Sequence, residues 1–332
     1  MSWHAVSKGP PRPVPAPSDE ALSFHRALPG YAPTPVHDLP SVATELGLSS
    51  VVLKDESHRL GLPAFKVLGA SWAVERTLRE DRGIHTLVAA SAGNHGRAVA
   101  HVAARRGLAA RIHLPARSSP ARRAAIAGEG AEVVVVDGTY EEAVAQAAAE
   151  GARDGVAEIA DVGDSGPAHW VIDGYATLFS EIEEEVDVAL VPAGVGSLAA
   201  AAARWGAATG TRIVAVEPET AACLTASLAA GEPTRVDTPG TSMAGLDCAE
   251  VSTAAWPTLV AGIHATVTVS DSQAHAAMRE LAGHALRIGD SGAATLAALR
   301  VAAGEDRIAG RVLLLATEGP TDPEGYAAVV GR

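Results

Sequence analysis

An α/β fold with two domains, each a parallel sheet flanked by helices and the smaller inserted in the larger, is predicted by three observations. From residue 86 onward, short β-rich runs alternate with helix-length segments rich in Ala, Arg and Glu. The alternation comes in two successive sets. Hydrophobic residues make up 48% of the 332 residues and aromatic residues only 4%, so the core must be built from small aliphatic side chains. Parallel strands need a crossover of a dozen or more residues, normally a right-handed helical one, and the alternation supplies it. The chain is long enough for two cores. The expected division is a Pro-rich tail over residues 1–20, a large domain from residues 21–69 and 176–332, and a small domain over residues 70–175. A cleft between two such domains is the expected place for a site.

The elements follow in order. Pro10, Pro11, Pro13, Pro15 and Pro17 lock φ and remove backbone donors, so the tail is expected to be extended and to join neither helix nor ladder. Residues 24–48 continue with short elements around Pro29, Pro33, Pro35 and Pro40, and residues 50–54 form a strand. The first regular set places strands at Thr86–Ala90, Arg111–Leu114, Glu132–Val136 and Val156–Ala160. The second places them at Val186–Val191, Arg212–Val216, Ala265–Val269 and Arg311–Ala316. The spacing is a βα rhythm and not a solenoid repeat.

Charge and composition exclude several functions. The formal net charge is −13 and no basic run interleaved with aromatic residues occurs, which argues against nucleic-acid binding. No apolar run of membrane-spanning length and no charged-then-apolar leader pattern is present, so a cytoplasmic protein without membrane contact is expected. Cys223 and Cys248 are too few and too far apart in sequence for a zinc site, and no metal is expected.

The chain carries 23 Arg but only three Lys, at positions 8, 54 and 66. Arg stays charged at any workable pH, whereas a partly buried Lys can lose its proton and attack a carbonyl. Lys8 lies in the Pro-rich tail and Lys54 ends the apolar run Val51-Val52-Leu53. Lys66 follows a Gly/Pro turn and opens a helix-period segment through Val67, Leu68, Trp72, Val74 and Leu78, a position from which a side chain reaches a site. Taken alone, a solvated residue at a helix start is the competing reading.

Two glycine-bearing loops lead from strands into helices. Gly194, Val195, Gly196, Ser197 and Leu198 follow the run Val186–Val191 and lead into an Ala-rich helix; glycines admit an anion to the backbone, and the helix start offers unpaired N–H groups. A phosphate, a dinucleotide or no ligand at all fits this pattern. Ser91, Ala92, Gly93, Asn94, His95 and Gly96 form the second loop, whose amides and Ser91 hydroxyl suit a substrate carboxylate. His95 is a candidate general base, although a neutral histidine satisfied by backbone groups is the commoner outcome.

The motifs KDESHRLGLPAFKVLG, SAGNHGRAVA, VPAGVGSLAAA, SMAGLDCAE and TEGPTDPEGY occur in one order, and together they closely resemble the diaminopropionate ammonia-lyases. These are pyridoxal-phosphate enzymes of the tryptophan-synthase-β fold group, also called fold type II. The resemblance runs from about Phe24 to about Tyr326. It implies pyridoxal 5′-phosphate bound covalently through Lys66, with its phosphate on Gly194–Leu198, Asn94 at its 3′-oxygen and Thr317 at its pyridine nitrogen. The large domain would then be the cofactor-binding one. The resemblance also implies β-elimination from a small amino acid, 2,3-diaminopropionate to pyruvate and ammonia, in a homodimer. Asp161 would act at the substrate's second amine, with Asp164 as its rival because the chain is a few residues shorter than the family before Gly174-Tyr175. A neutral Thr317 hydroxyl does not keep the nitrogen protonated, which suits elimination over racemisation. Glu217, Pro218 and Asp290–Ala293 are further landmarks, read as structural. Cys223 and Cys248 sit in segments resembling active-site surroundings, so a regulatory disulfide and free thiols both stay open.

One departure matters. Where the family commonly has an Asp, taken to exchange a proton on the cofactor face away from the lysine, this chain has Ala92. The SAGNH spelling moves toward the threonine and serine dehydratases. A dehydratase, a β-replacement synthase and a cofactor-binding protein without turnover are the rival readings.

Overall fold

The computed structural model of the chain describes residues 2–6, 13–17 and 19–331. Lys8, Pro10 and Pro11 lie outside these. In chain order the strands are β1 (Ser2–Ala5), β2 (Val36–Asp38), β3 (Ser50–Asp55), β4 (Thr86–Ala90), β5 (Ala109–Pro115), β6 (Glu132–Val136), β7 (Val156–Glu158), β8 (Val188–Pro192), β9 (Arg212–Pro218), β10 (Ile263–Val269) and β11 (Arg311–Ala316). The chain divides into two compact units, Met1–Phe65 with Tyr175–Arg332, and Lys66–Gly174.

In the first unit the sheet order is β1-β10-β9-β8-β11-β3-β2, with parallel pairing from β10 through β3. β8 (VALVP) is buried along its whole length and β11 (RVLLLA) is buried after its first residue. Such unbroken apolar runs are expected of parallel strands covered on both faces by helices. Only the two edges are antiparallel. β1 pairs with β10 in the register Ser2 to Thr268, and β2 pairs with β3. Residues 2–5 therefore do join a ladder, against the expectation for the tail. They precede the prolines and retain every N–H the ladder needs.

A buried ionic network fixes the start of this unit. Lys54 Nζ donates to the Thr34 carbonyl at 2.8 Å and to Glu181 Oε2 at 2.7 Å. Arg59 donates to Glu56 Oε1 at 2.5 Å and to both Glu181 oxygens at 2.7 Å. Burial works to raise the Glu181 carboxyl, but Arg59 and Lys54 outweigh it and hold it below its ordinary range. The hairpin that follows closes through Arg59 and Leu62, which exchange both backbone hydrogen bonds. It delivers Pro63–Phe65 against Thr317–Gly319: Gly319 N–H bonds the Pro63 carbonyl, and Phe65 N–H bonds the Thr317 carbonyl at 3.3 Å. Phe65 and Tyr175, the residues at which this unit's chain breaks off and resumes, touch ring to ring with centroids 4.7 Å apart.

In the second unit the sheet order is β6-β5-β4-β7, all parallel. The helices Lys66–Glu80 and Gly166–Ser180 meet where Gly174 faces Leu68 and Gly69; a Cβ on Gly174 would lie 2.6 Å from the Leu68 carbonyl oxygen, so only glycine fits.

Each sheet has one place where strand order reverses. In the second unit successive strands run outward from β4 to β5 to β6, and β7 returns to the other side of β4. In the first unit they run from β8 to β9 to β10, and β11 lies on the other side of β8. Connections leave such a point in opposite directions, which opens a crevice beyond the strands' carboxyl ends. The segments there are 91–96 and 159–161 in one unit, and 193–197 and 317–318 in the other.

Candidate functional site

Lys66 opens the helix Lys66–Glu80, and its Nζ donates to Asp161 Oδ2 at 2.8 Å. Both side chains are largely buried. Burial works to raise the Asp161 carboxyl, but His95 and Lys66 beside it and the Lys66 hydrogen bond overcome it and hold Asp161 at about 2. His95 is itself 3% exposed, and burial lowers its pKa, so the imidazole is neutral at ordinary pH. Lys66 donates the hydrogen bond that helps keep Asp161 ionised. Asp164, the rival, is an exposed residue whose carboxylate pairs with His169 at 2.9 Å.

His95 Nε2 donates to the Ile159 carbonyl at 2.7 Å, tying the loop after β4 to the end of β7. Its Nδ1 lies 3.7 Å from Asp161 Oδ2 and has no hydrogen-bond partner among the described residues. Ser91, Ala92 and Asn94 are half-buried and Gly93 is exposed. The Gly93 amide bonds the Ser91 hydroxyl at 3.2 Å. The helix Asn94–Arg106 begins without a side-chain cap, so its first amides are offered to an anion. Gly96 is required for packing, since a Cβ there would lie 2.2 Å from the Ser91 carbonyl oxygen.

In the other unit, Gly196 has φ 93° and precedes the helix Ser197–Thr209, which also starts without a side-chain cap. The loop's carbonyls are turned to protein donors: Val195 O accepts from Ser252 N–H at 2.8 Å, and Gly194 O from Cys223 Sγ at 3.6 Å. Gly194 owes its identity to the protein around it, because a Cβ would meet Cys248 Sγ at 2.9 Å and the Gly245 carbonyl oxygen at 3.0 Å. Both cysteines flank this one glycine, and neither is in a disulfide. Ser197, Leu198 and Thr317 are buried, Thr317 immediately beyond β11.

Glu217 caps the neighbouring helix Cys223–Ala230 by accepting from the Leu224 amide at 2.7 Å and from the Thr225 amide and hydroxyl at 2.9 and 2.6 Å. Burial pushes its carboxyl up to about 7 against those hydrogen bonds.

A family model described as pyridoxal-phosphate dependent enzyme matches residues 27–318. The chain belongs to this family. It is 32% identical to the diaminopropionate ammonia-lyase of Salmonella typhimurium over 94% of this chain and 91% of that one. Among solved structures, diaminopropionate ammonia-lyase from Escherichia coli in complex with an aminoacrylate–PLP azomethine reaction intermediate is 29% identical with a TM-score of 0.88, covering 99% of this chain and 98% of that one. The biosynthetic L-threonine dehydratase of Escherichia coli is 29% identical over 80% of this chain but only 52% of its own length.

This pyridoxal-phosphate-dependent enzyme carries groups that fit its cofactor. An uncapped helix start behind a positive-φ glycine suits a phosphate, and a mostly buried lysine amine suits an aldehyde. Lys54 is spoken for by its ionic network. Sequence reasoning missed Glu181, which binds both Lys54 and Arg59 from a distant part of the chain. No local signal in EIEEEV marks which acid turns inward. It also missed the His95–Ile159 bond, whose acceptor is a backbone carbonyl and so has no residue-type signature. Among the described residues, no helix is long and apolar enough to cross a membrane.

Proposed function

We propose that this pyridoxal-phosphate-dependent lyase catalyses β-elimination from a small L-amino acid, with 2,3-diaminopropionate, converted to pyruvate and ammonia, as its best-fitting substrate. The observation that carries the reading is the Lys66–Asp161 pair: a base and a held anion side by side in a largely buried setting. When bound, pyridoxal phosphate supplies the electron sink that makes the α-proton removable. Lys66 would hold the cofactor aldehyde at Nζ, and its freed amine would take the α-proton at the same atom. Gly194, Val195, Gly196, Ser197 and Leu198 receive the phosphate, Asn94 the 3′-oxygen, and Thr317 the pyridine nitrogen with a neutral hydroxyl. Ser91, Ala92 and Gly93, with the amides of the helix start behind them, receive the substrate carboxylate. Asp161 holds the second amine, which takes the place beside its carboxylate that Lys66 Nζ fills at 2.8 Å.

Ala92 favours a second reading, an L-threonine or L-serine dehydratase, which differs only in its substrate. Release of ammonia and 2-oxo acid from a panel of L- and D-amino acids separates the two. Consumption of an added nucleophile would point to β-replacement instead, and the absence of any turnover in yellow, cofactor-loaded protein would reduce the chain to a binding protein. The reading includes a homodimer, carried over from the family resemblance, and a cytoplasmic location, expected from the sequence's charge and hydropathy pattern; sedimentation at micromolar concentration tests the dimer.

A further inference from the structure

The His95 imidazole presents an unmet acceptor beside an ionised carboxylate. Its Nε2–H is committed to the Ile159 carbonyl, so in the neutral ring Nδ1 carries a lone pair. That lone pair is buried, has no partner among the described residues, and lies 3.7 Å from Asp161 Oδ2. Lys66 supplies a donor to Asp161, but among the described residues no donor reaches Nδ1. A buried unmet acceptor costs about 1–3 kcal/mol, so the arrangement calls for a hydrogen supplied from outside the protein.

Resting on the elimination reading above, we propose that His95 is a specificity-determining residue: its Nδ1 and Asp161 Oδ2 form a two-acceptor receptor for an ammonium group on the substrate's β-carbon. Two acceptors 3.7 Å apart can both be reached by one nitrogen at ordinary hydrogen-bond length. An ammonium brings three hydrogens and satisfies both at once. A hydroxyl brings one hydrogen and leaves the other acceptor unmet. The receptor thus selects a β-amine over a β-hydroxyl.

The test is His95→Gln in the cofactor-loaded enzyme. Its side-chain amide can still donate to the Ile159 carbonyl from the Nε2 position, but it offers no acceptor where Nδ1 was. The ratio of kcat/KM for 2,3-diaminopropionate to that for serine should fall by about 10- to 100-fold, the loss expected for a hydrogen bond to a charged group. An unchanged ratio, with both substrates losing equally, would make His95 a purely structural clamp and overturn the proposal. A second readout does not depend on turnover: the ¹⁵N shift of His95 Nδ1 should move from a bare-acceptor value toward a hydrogen-bonded one on adding 2,3-diaminopropionate and stay put with serine. If the unmodified enzyme turns over serine and not the diamine, the proposed substrate falls, while the ¹⁵N shift still decides whether the receptor exists.

Discussion

Lys66 Nζ donates to Asp161 Oδ2 across 2.8 Å, joining the first residue of a helix to a residue 95 positions later. The pair turns a lysine that could have been a solvated helix start into a held, mostly buried amine. Neither partner is explained without the other, since Asp161 stays ionised in a buried setting with His95 beside it and the Lys66 hydrogen bond on its Oδ2.

The amine makes the first prediction. Borohydride reduction of the yellow protein should label Lys66, and Lys66→Ala should abolish both the label and turnover. Lys54 should stay unlabelled, because it is fully buried with its hydrogens given to Thr34 and Glu181. A labelled Lys54 in peptide mapping would overturn the assignment.

Asp161 makes a prediction about acid stability. Its folded-state pKa of about 2 lies below the ordinary 3.8, so its contribution is fully present above pH 3.8 and is lost as pH falls toward 2. The difference corresponds to about 2 kcal/mol. In cofactor-stripped protein, denaturant midpoints measured from pH 5 down to pH 2 should fall less steeply for Asp161→Asn than for the parent. Parallel curves would show that the pair does not persist in solution.

Gly194 predicts a folding defect rather than a purely cofactor-linked one. A Cβ there meets the Gly245 carbonyl oxygen and Cys248 Sγ before any ligand is considered. Gly194→Val should lower the thermal midpoint of the cofactor-free protein by several degrees, as a core overpacking of about 1–3 kcal/mol does. An unchanged midpoint with lost cofactor would restore the loop's glycine to a ligand-binding role alone.

Ala92 predicts stereochemistry. Proton removal from a D-amino acid needs a base on the face away from Lys66, and Ala92 has nothing to exchange. His95, the nearest titratable group in that loop, is buried and tied to Ile159. L-substrates should be preferred by about 10²–10⁴-fold, the usual worth of a positioned acid or base. Ala92→Asp should recover part of the D-activity. Equal L and D rates in the parent enzyme would require a base at another position.

Much of this was legible in the residues because periodicity and composition report on local structure. The strands β3 to β11 all lie at or within a few residues of the expected runs, since β-branched and aliphatic runs between Ala-rich helices have few other solutions. β1 and β2 were not legible: at four and three residues they carry no alternation, and they exist only because β10 and β3 offer edges. Lys66 stood out because lysine is rare here. The partnership of Lys66 with Asp161, the neutral state of His95 and the crowding around Gly194 depend on contacts between distant segments, which no window of sequence contains.

The reversals of strand order bear on how such a chain can change over time. The residues proposed to meet substrate and cofactor hang mostly from segments beyond β4, β7, β8 and β11, outside the registers that hold either sheet together. A deletion between Asp161 and Tyr175, or an Asp-to-Ala exchange before Gly93, leaves every ladder hydrogen bond where it was. Substrate range can therefore drift through loop lengths and single side chains with both sheets' registers kept, and a lineage can pass from one leaving group to another on the same pair of sheets.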